Sequence, residues 1–141
     1  MVKFDDNRLY HSLAVARKMK ELVLDSNPDD VEFAHEMFVL GMIHDIGYEF
    51  VEDQKDHERL GGELLKNMDF KYWKEIYWHG NPKSPYTSRA LDILNIADNS
   101  ISPDGKPILP SMRLSDIENR YGKDSVQAKN AQELMAKLKL L

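Results

Sequence analysis

Residues 28–47 read PDDVEFAHEMFVLGMIHDIG, and how this stretch is read decides the fold. Phe33, Met37, Leu40 and His44 recur at spacings of four, three and four, which places them on one face of a helix. Pro28 sits where a helix start tolerates proline, and Asp29, Asp30 and Glu32 favour the positive end of the helix dipole. Gly47 punctuates the far end. The apolar face therefore closes on His44-Asp45. Burying an unpaired, charged Asp45 would cost several kcal/mol, so the pattern asks for a partner such as a cation.

Working outward, the same periodicity continues on both sides. Asp6 or Asn7 can cap a first helix running to about Leu24, with Leu9, Leu13, Ala16 and Val23 among its apolar positions. Asp25 to Asp29 is a turn by composition. Tyr48 to Gln54 reads as a loop. Helices are expected over Asp56 to Met68 and Phe70 to about Trp78, followed by a break at Gly80 to Pro85. A fifth helix runs from about Tyr86 to Ser100 and stops at Ser102-Pro103-Asp104-Gly105. Two more, near Ser111 to Tyr121 and Asp124 to Leu138, complete the chain. Strand-type alternation is hard to find, and no fixed-period repeat or low-complexity tract is present. The expected class is all-α, a bundle of about six to seven helices.

Bulk properties agree. The 141 residues fit one domain, with 42% hydrophobic and 30% charged residues, the profile of an ordinary globule. The polar opening segment and the lack of any long apolar run predict neither signal peptide nor membrane span. No cysteine is present, which excludes disulfides and thiolate metal sites and fits a cytoplasmic setting. A net charge of −5 argues against a nucleic-acid polymer as partner. It leaves room for a small anionic ligand in a local basic pocket. Met, Leu and Trp residues suffice for a monomer core or for a homodimer face.

A His-Asp pair alone means little, since this composition yields about 0.5 such pairs by chance. Its setting at the end of an apolar helix gives it weight, and Asp98 supplies a second sign. Leu91, Leu94, Asp98 and Ile101 share one helix face, where an aspartate is unusual unless it caps, pairs or binds metal. The bland alternative is a solvated helix end with Asn99 and Ser100. His11, one turn into the first helix, would alone read as a half-buried histidine bonded to backbone. Together, two imidazoles and two carboxylates from three helices can converge inside a bundle. Such a sulfur-free set suits Mn, Fe, Zn or Mg, with positions left for water and substrate.

The ordered stretches 9–16 (LYHSLAVA), 42–47 (MIHDIG) and 95–100 (NIADNS) resemble the three signature regions of the HD-domain superfamily of metal-dependent phosphohydrolases. The resemblance covers residues 9 to about 101. It implies an all-helical bundle with a metal-site core over about 7–101 and a C-terminal helical extension over about 110–141. Carried over, the metal ligands would be His11, His44, Asp45 and Asp98. His57 and His79 look like the extra histidines of members that hold a second ion, with Asp45 bridging the two. Their bland readings are an exposed helix-start histidine and a helix-end histidine favoured by the dipole.

The implied activity is hydrolysis of a nucleotide or other small phosphate ester by metal-activated water, with one or two divalent ions (Fe, Mn, Zn or Mg). Asp45, His57 and His79 would be the catalytic residues, the histidines holding an ion, stabilising phosphoryl charge or supplying a general acid. Two rivals share the ligand order: a di-iron, O2-dependent oxygenase of the same superfamily, and a catalytically silent nucleotide sensor. Glu49 is a further candidate base. Lys83 and Arg89, flanking the break after His79, are candidate phosphate clamps. His35 reads as an ordinary helix side chain. Arg113 and Arg120 resemble the tail of some superfamily members and are expected to make local structural pairs. Trp73, Tyr77 and Trp78 are expected in the core.

Overall fold

The computed structural model describes residues 6–49 and 57–141. Among them seven α-helices form: α1 (Asp6–Ser26), α2 (Val31–Ile43), α3 (His57–Asn67), α4 (Trp73–Trp78), α5 (Arg89–Asp98), α6 (Pro110–Tyr121) and α7 (Val126–Lys137). A short 3-10 turn, Ile46–Glu49, follows α2. The described residues contain no strand beyond an isolated bridge between Ile101 and Pro107. The all-α expectation is met. The side chain of Glu49 and the Phe50–Gln54 part of the expected loop lie outside the described residues.

Three helix starts differ from expectation, each for a local reason. Pro28 does not open α2, because Asn27 Oδ1 accepts from the Asp29 amide at 3.1 Å and holds a turn, and the helix begins at Val31. Residues 70–72 precede α4 rather than belonging to it, with Phe70 O accepting from the Trp73 amide. The fifth helix starts at Arg89, where Ser88 Oγ accepts from the Leu91 amide at 2.9 Å as an N-cap.

The core joins α1, α2 and α5. Val15, Met19 and Val23 meet Met37, Leu40, Leu94 and Ala97, all fully buried. Each large apolar side chain removed from water contributes about 1.5–3 kcal/mol. The buried face of α1 is His11, Ser12, Val15, Ala16, Met19 and Val23, so Leu9, 43% exposed, is not a core residue. The aromatic group at 73–78 is half-buried: Trp73 packs on the core edge, whereas Tyr77 and Trp78 line a small cavity beside His79.

Two glycines allow the helices to approach. A Cβ on Gly41 would stand 2.5 Å from Ala16 Cα, and one on Gly62 would stand 2.5 Å from Tyr77 Cβ. These contacts bring α2 onto α1 and α3 onto α4. The α6–α7 pair is tied on more lightly. No residue of α6 is buried, while α7 buries Ala128, Leu134 and Met135, and the Lys137 ammonium donates to the Pro82 carbonyl. No described helix is long and apolar enough to cross a membrane.

Candidate metal centre

Five helices deliver six side chains to one point. His11 comes from α1, His44 from the residue capping α2, and Asp45 from the turn just beyond it. His57 opens α3, His79 caps α4, and Asp98 ends α5. The carbonyl ends of α2, α4 and α5 thus converge, and these ends carry partial negative charge. Two aspartates placed there add to a field that only a cation relieves.

The four imidazoles form a row: ring centroids are 5.5 Å apart from His11 to His44, 5.4 Å from His44 to His79 and 5.4 Å from His79 to His57. Asp45 divides its two oxygens between the halves of this row. Its Oδ2 lies 3.2 Å from His44 Nε2 and 3.8 Å from His11 Nε2. Its Oδ1 lies 3.2 Å from His57 Nε2 and 3.5 Å from His79 Nε2. Asp98 Oδ1 faces His11 Nε2 at 2.9 Å and His44 Nε2 at 3.5 Å. The helix-face reading of Asp98 therefore prevails over that of a merely solvated helix end.

Three of the rings are fixed through their other nitrogen. His44 Nδ1 lies 2.7 Å from the Gly41 carbonyl, and His79 Nδ1 lies 2.6 Å from the Ile76 carbonyl. Both bonds reach back three residues to a helix-end carbonyl that would otherwise lack a partner. His11 Nδ1 reaches the Ser102 carbonyl at 2.8 Å. A carbonyl only accepts, so Nδ1 carries the hydrogen in each ring. In the neutral imidazole the bare Nε2 then points into the centre, the orientation found in metal-binding histidines.

His44 supplies the fit test. Its Nε2 is wholly buried and, despite two carboxylates within reach, makes no hydrogen bond of acceptable geometry. An orphaned buried nitrogen of this kind costs about 1–3 kcal/mol. A cation among His44, Asp45 and their neighbours would satisfy it. Subsets His11–His44–Asp98 and His44–Asp45–His79 each bring their donor atoms within 4.8 Å of one another, close enough to hold an ion.

The electrostatics agree. Burial opposes the charged form of His44, but Asp45 and Asp98 outweigh it and hold the imidazole well above its ordinary range. Burial likewise opposes ionised Asp45, and the facing His44, with His57 and His79, holds its carboxyl well below the usual range. Asp98 is held down in the same way by His11 and His44 against its own burial. The centre keeps two carboxylates ionised in a buried setting, as a cation site requires.

A cavity of about 950 Å³ opens from this cluster, in the size range of small-molecule sites. His11, Asp45, His57, His79 and Asp98 stand on its floor; His44 lies beneath, shut off from it. Arg8, on the first turns of α1, lines it too, with Nη1 3.8 Å from Asp45 Oδ2. Lys83 and Arg89 do not line it. Lys83 is exposed, and Arg89 pairs with Asp30 at 3.3 Å and lies over Phe33, because it sits at the opposite end of α5 from Asp98. The cationic side chains facing the cavity are instead Arg8, Arg113 and Arg120. His35 is exposed on α2, away from the centre.

Two supporting residues went unnoticed in the sequence. Asn95, buried on α5, accepts from the Gly80 amide at 2.9 Å and so fixes the backbone beside His79. Glu75, buried on α4, accepts from the Tyr86 and Ser88 hydroxyls at 2.7 Å each. Asn95 left a signal, a polar residue one turn before Asp98 between apolar Leu94 and Ile96; Glu75 left none.

A family model described as HD domain matches residues 8–110, most of the chain and all six converging residues. No curated protein and no solved structure gives a significant match.

Proposed function

Because the chain belongs to the HD-domain family, we propose that it is a metal-dependent phosphohydrolase acting on a nucleotide or another small phosphate ester. The observation that carries this reading is the division of Asp45, one oxygen toward His11 and His44 and the other toward His57 and His79. We assign His11, His44, Asp45 and Asp98 to a first divalent ion, and His57, His79 and the second oxygen of Asp45 to another. Fe, Mn and Zn accept such an imidazole-rich set, whereas Mg prefers oxygen ligands alone. Bound there, divalent cations supply a water acidified to near neutral pH and a Lewis acid for the phosphoryl oxygens.

The chain's own residues do the rest. Arg8 faces the same space as Asp45 and is placed to hold a phosphoryl oxygen by charge-assisted hydrogen bonds. His57 is the most accessible of the four imidazoles, and its Nδ1 lies 3.2 Å from Glu58. That pair orients the ring so that Nε2 faces Asp45 Oδ1, 3.2 Å away, as a ligand of the second ion. Buried His44, with Gly41 and Ser102 carbonyls behind the rings, keeps the donors from turning away.

The cavity lining supports a phosphorylated ligand. Three arginines around the space suit an anionic substrate such as a phosphate ester. A silent sensor would share the lining and differ in turnover. The test is phosphate release from a panel of nucleotides and phosphate esters by protein loaded in turn with Mn, Fe, Zn and Mg. Release that depends on added metal, and that falls at least about 100-fold in His57→Ala, is expected. Tight nucleotide binding without release would support the sensor. Uptake of O2 by a coloured, iron-loaded preparation would support the oxygenase.

A further inference from the structure

Part of the cavity wall comes from a stretch of the chain beyond the family match, which ends at Pro110 where α6 begins. Helix α6 lines the cavity with Arg113, Asp116, Ile117 and Arg120, spaced three, four and seven residues from the first, and with Asn119 and Tyr121 at its end. Helix α7 does the same with Gln127, Asn130, Ala131 and Leu134. The two helices together form one wall of the space.

Arg113 and Arg120 were expected to make local pairs along α6. They do not: neither side chain forms an ion pair or hydrogen bond with any described residue, although Asp116 lies between them on the same face. The Nε of Arg113 is shut off from solvent and has no hydrogen-bond partner. An unsatisfied buried guanidinium nitrogen is costly. A planar fork of donors matches phosphate in particular. Along the helix axis the two residues stand about 10 Å apart, and their long side chains can close on one group from two sides.

We propose that Arg113 and Arg120 form a second phosphate-binding subsite, so that the substrate carries two separate phosphate groups: one hydrolysed at the metal centre, the other held on α6. This rests on the hydrolase reading and narrows its substrate class to bisphosphorylated small molecules. Gln127 and Asn130 offer amide donors and acceptors to the body of such a molecule, with Ile117 and Leu134 beside them for its apolar faces. The one acidic residue on this face of α6, Asp116, is outnumbered by the two arginines.

The test is calorimetric titration of metal-loaded protein with adenosine 3′,5′-bisphosphate and with each of the two adenosine monophosphates, while released phosphate is followed in the same samples. The bisphosphate should bind at least about tenfold more tightly than either monophosphate. In Arg113→Gln/Arg120→Gln that preference should fall to about twofold or less, and Arg113→Lys should keep part of it. Circular dichroism checks the fold of the double variant. Should it unfold, Arg120→Gln alone, at an exposed position, is expected to lower the preference by about threefold. No preference in the wild type, or one that survives in the variants, overturns the proposal. Absence of released phosphate from any ester counts against the hydrolase reading alone, because the preference is read from binding.

Discussion

At the scale of the residue, His44 shows how a buried polar atom betrays its ligand. Its Nδ1 is committed to a carbonyl, its Nε2 has no hydrogen bond, and two carboxylates hold it toward the imidazolium. The sign of the pH dependence follows. A raised imidazole pKa contributes stability that is fully present below about pH 6.5 and is lost as pH rises through the folded value. The depressed carboxyls of Asp45 and Asp98 contribute stability present above about pH 4 and lost as pH falls through their folded values. Chelated protein should therefore unfold at its highest temperature between about pH 4 and 6.5 and lose stability as pH rises above that window. Metal must displace the His44 proton, so its affinity should rise with pH and binding should release protons. Calorimetry in buffers of different ionisation enthalpy measures that release, and no release would contradict the assignment. Asn95 allows a second prediction: Asn95→Ala strands the Gly80 amide and should cost about 1–3 kcal/mol in denaturant unfolding.

At the scale of the element, close approach decides where the ligands meet. The seat of Gly41 against Ala16 fixes α2 on α1, and the same glycine's carbonyl holds His44. Gly41→Ala would push a methyl group into backbone and should lower stability by about 1–3 kcal/mol, read as a fall in the denaturation midpoint without change in slope. The helices themselves were legible because apolar spacing reports a buried face directly. Their starts were not, because Asn27 and Ser88 override Pro28 and Tyr86 through single hydrogen bonds that spacing does not encode. The six converging residues were legible from their order along the chain. Lys83 and Arg89 were misjudged because nearness to His79 in sequence says nothing of direction: nine residues along α5 carry Arg89 about 13 Å from Asp98. Arg113 and Arg120 make no local pair because they line the cavity, a tertiary placement with no local signature.

At the scale of the whole molecule, the core formed by α1, α2 and α5 holds one side of the metal centre, α3 and α4 hold the other, and α6–α7 roof the space between. A cation that joins both sides should stabilise the fold by mass action, by about 4 kcal/mol at a thousandfold excess over its dissociation constant. Thermal unfolding should shift upward on adding Mn or Zn to chelated wild-type protein and should not shift in Asp45→Ala. The most direct test of the metal centre is elemental analysis of protein purified without chelator, wild type beside Asp45→Ala. About two divalent ions per chain in the wild type, and almost none in the variant, is the result expected of a centre bridged by Asp45. Equal metal in the two proteins, or none in either even after metal is added, would contradict it.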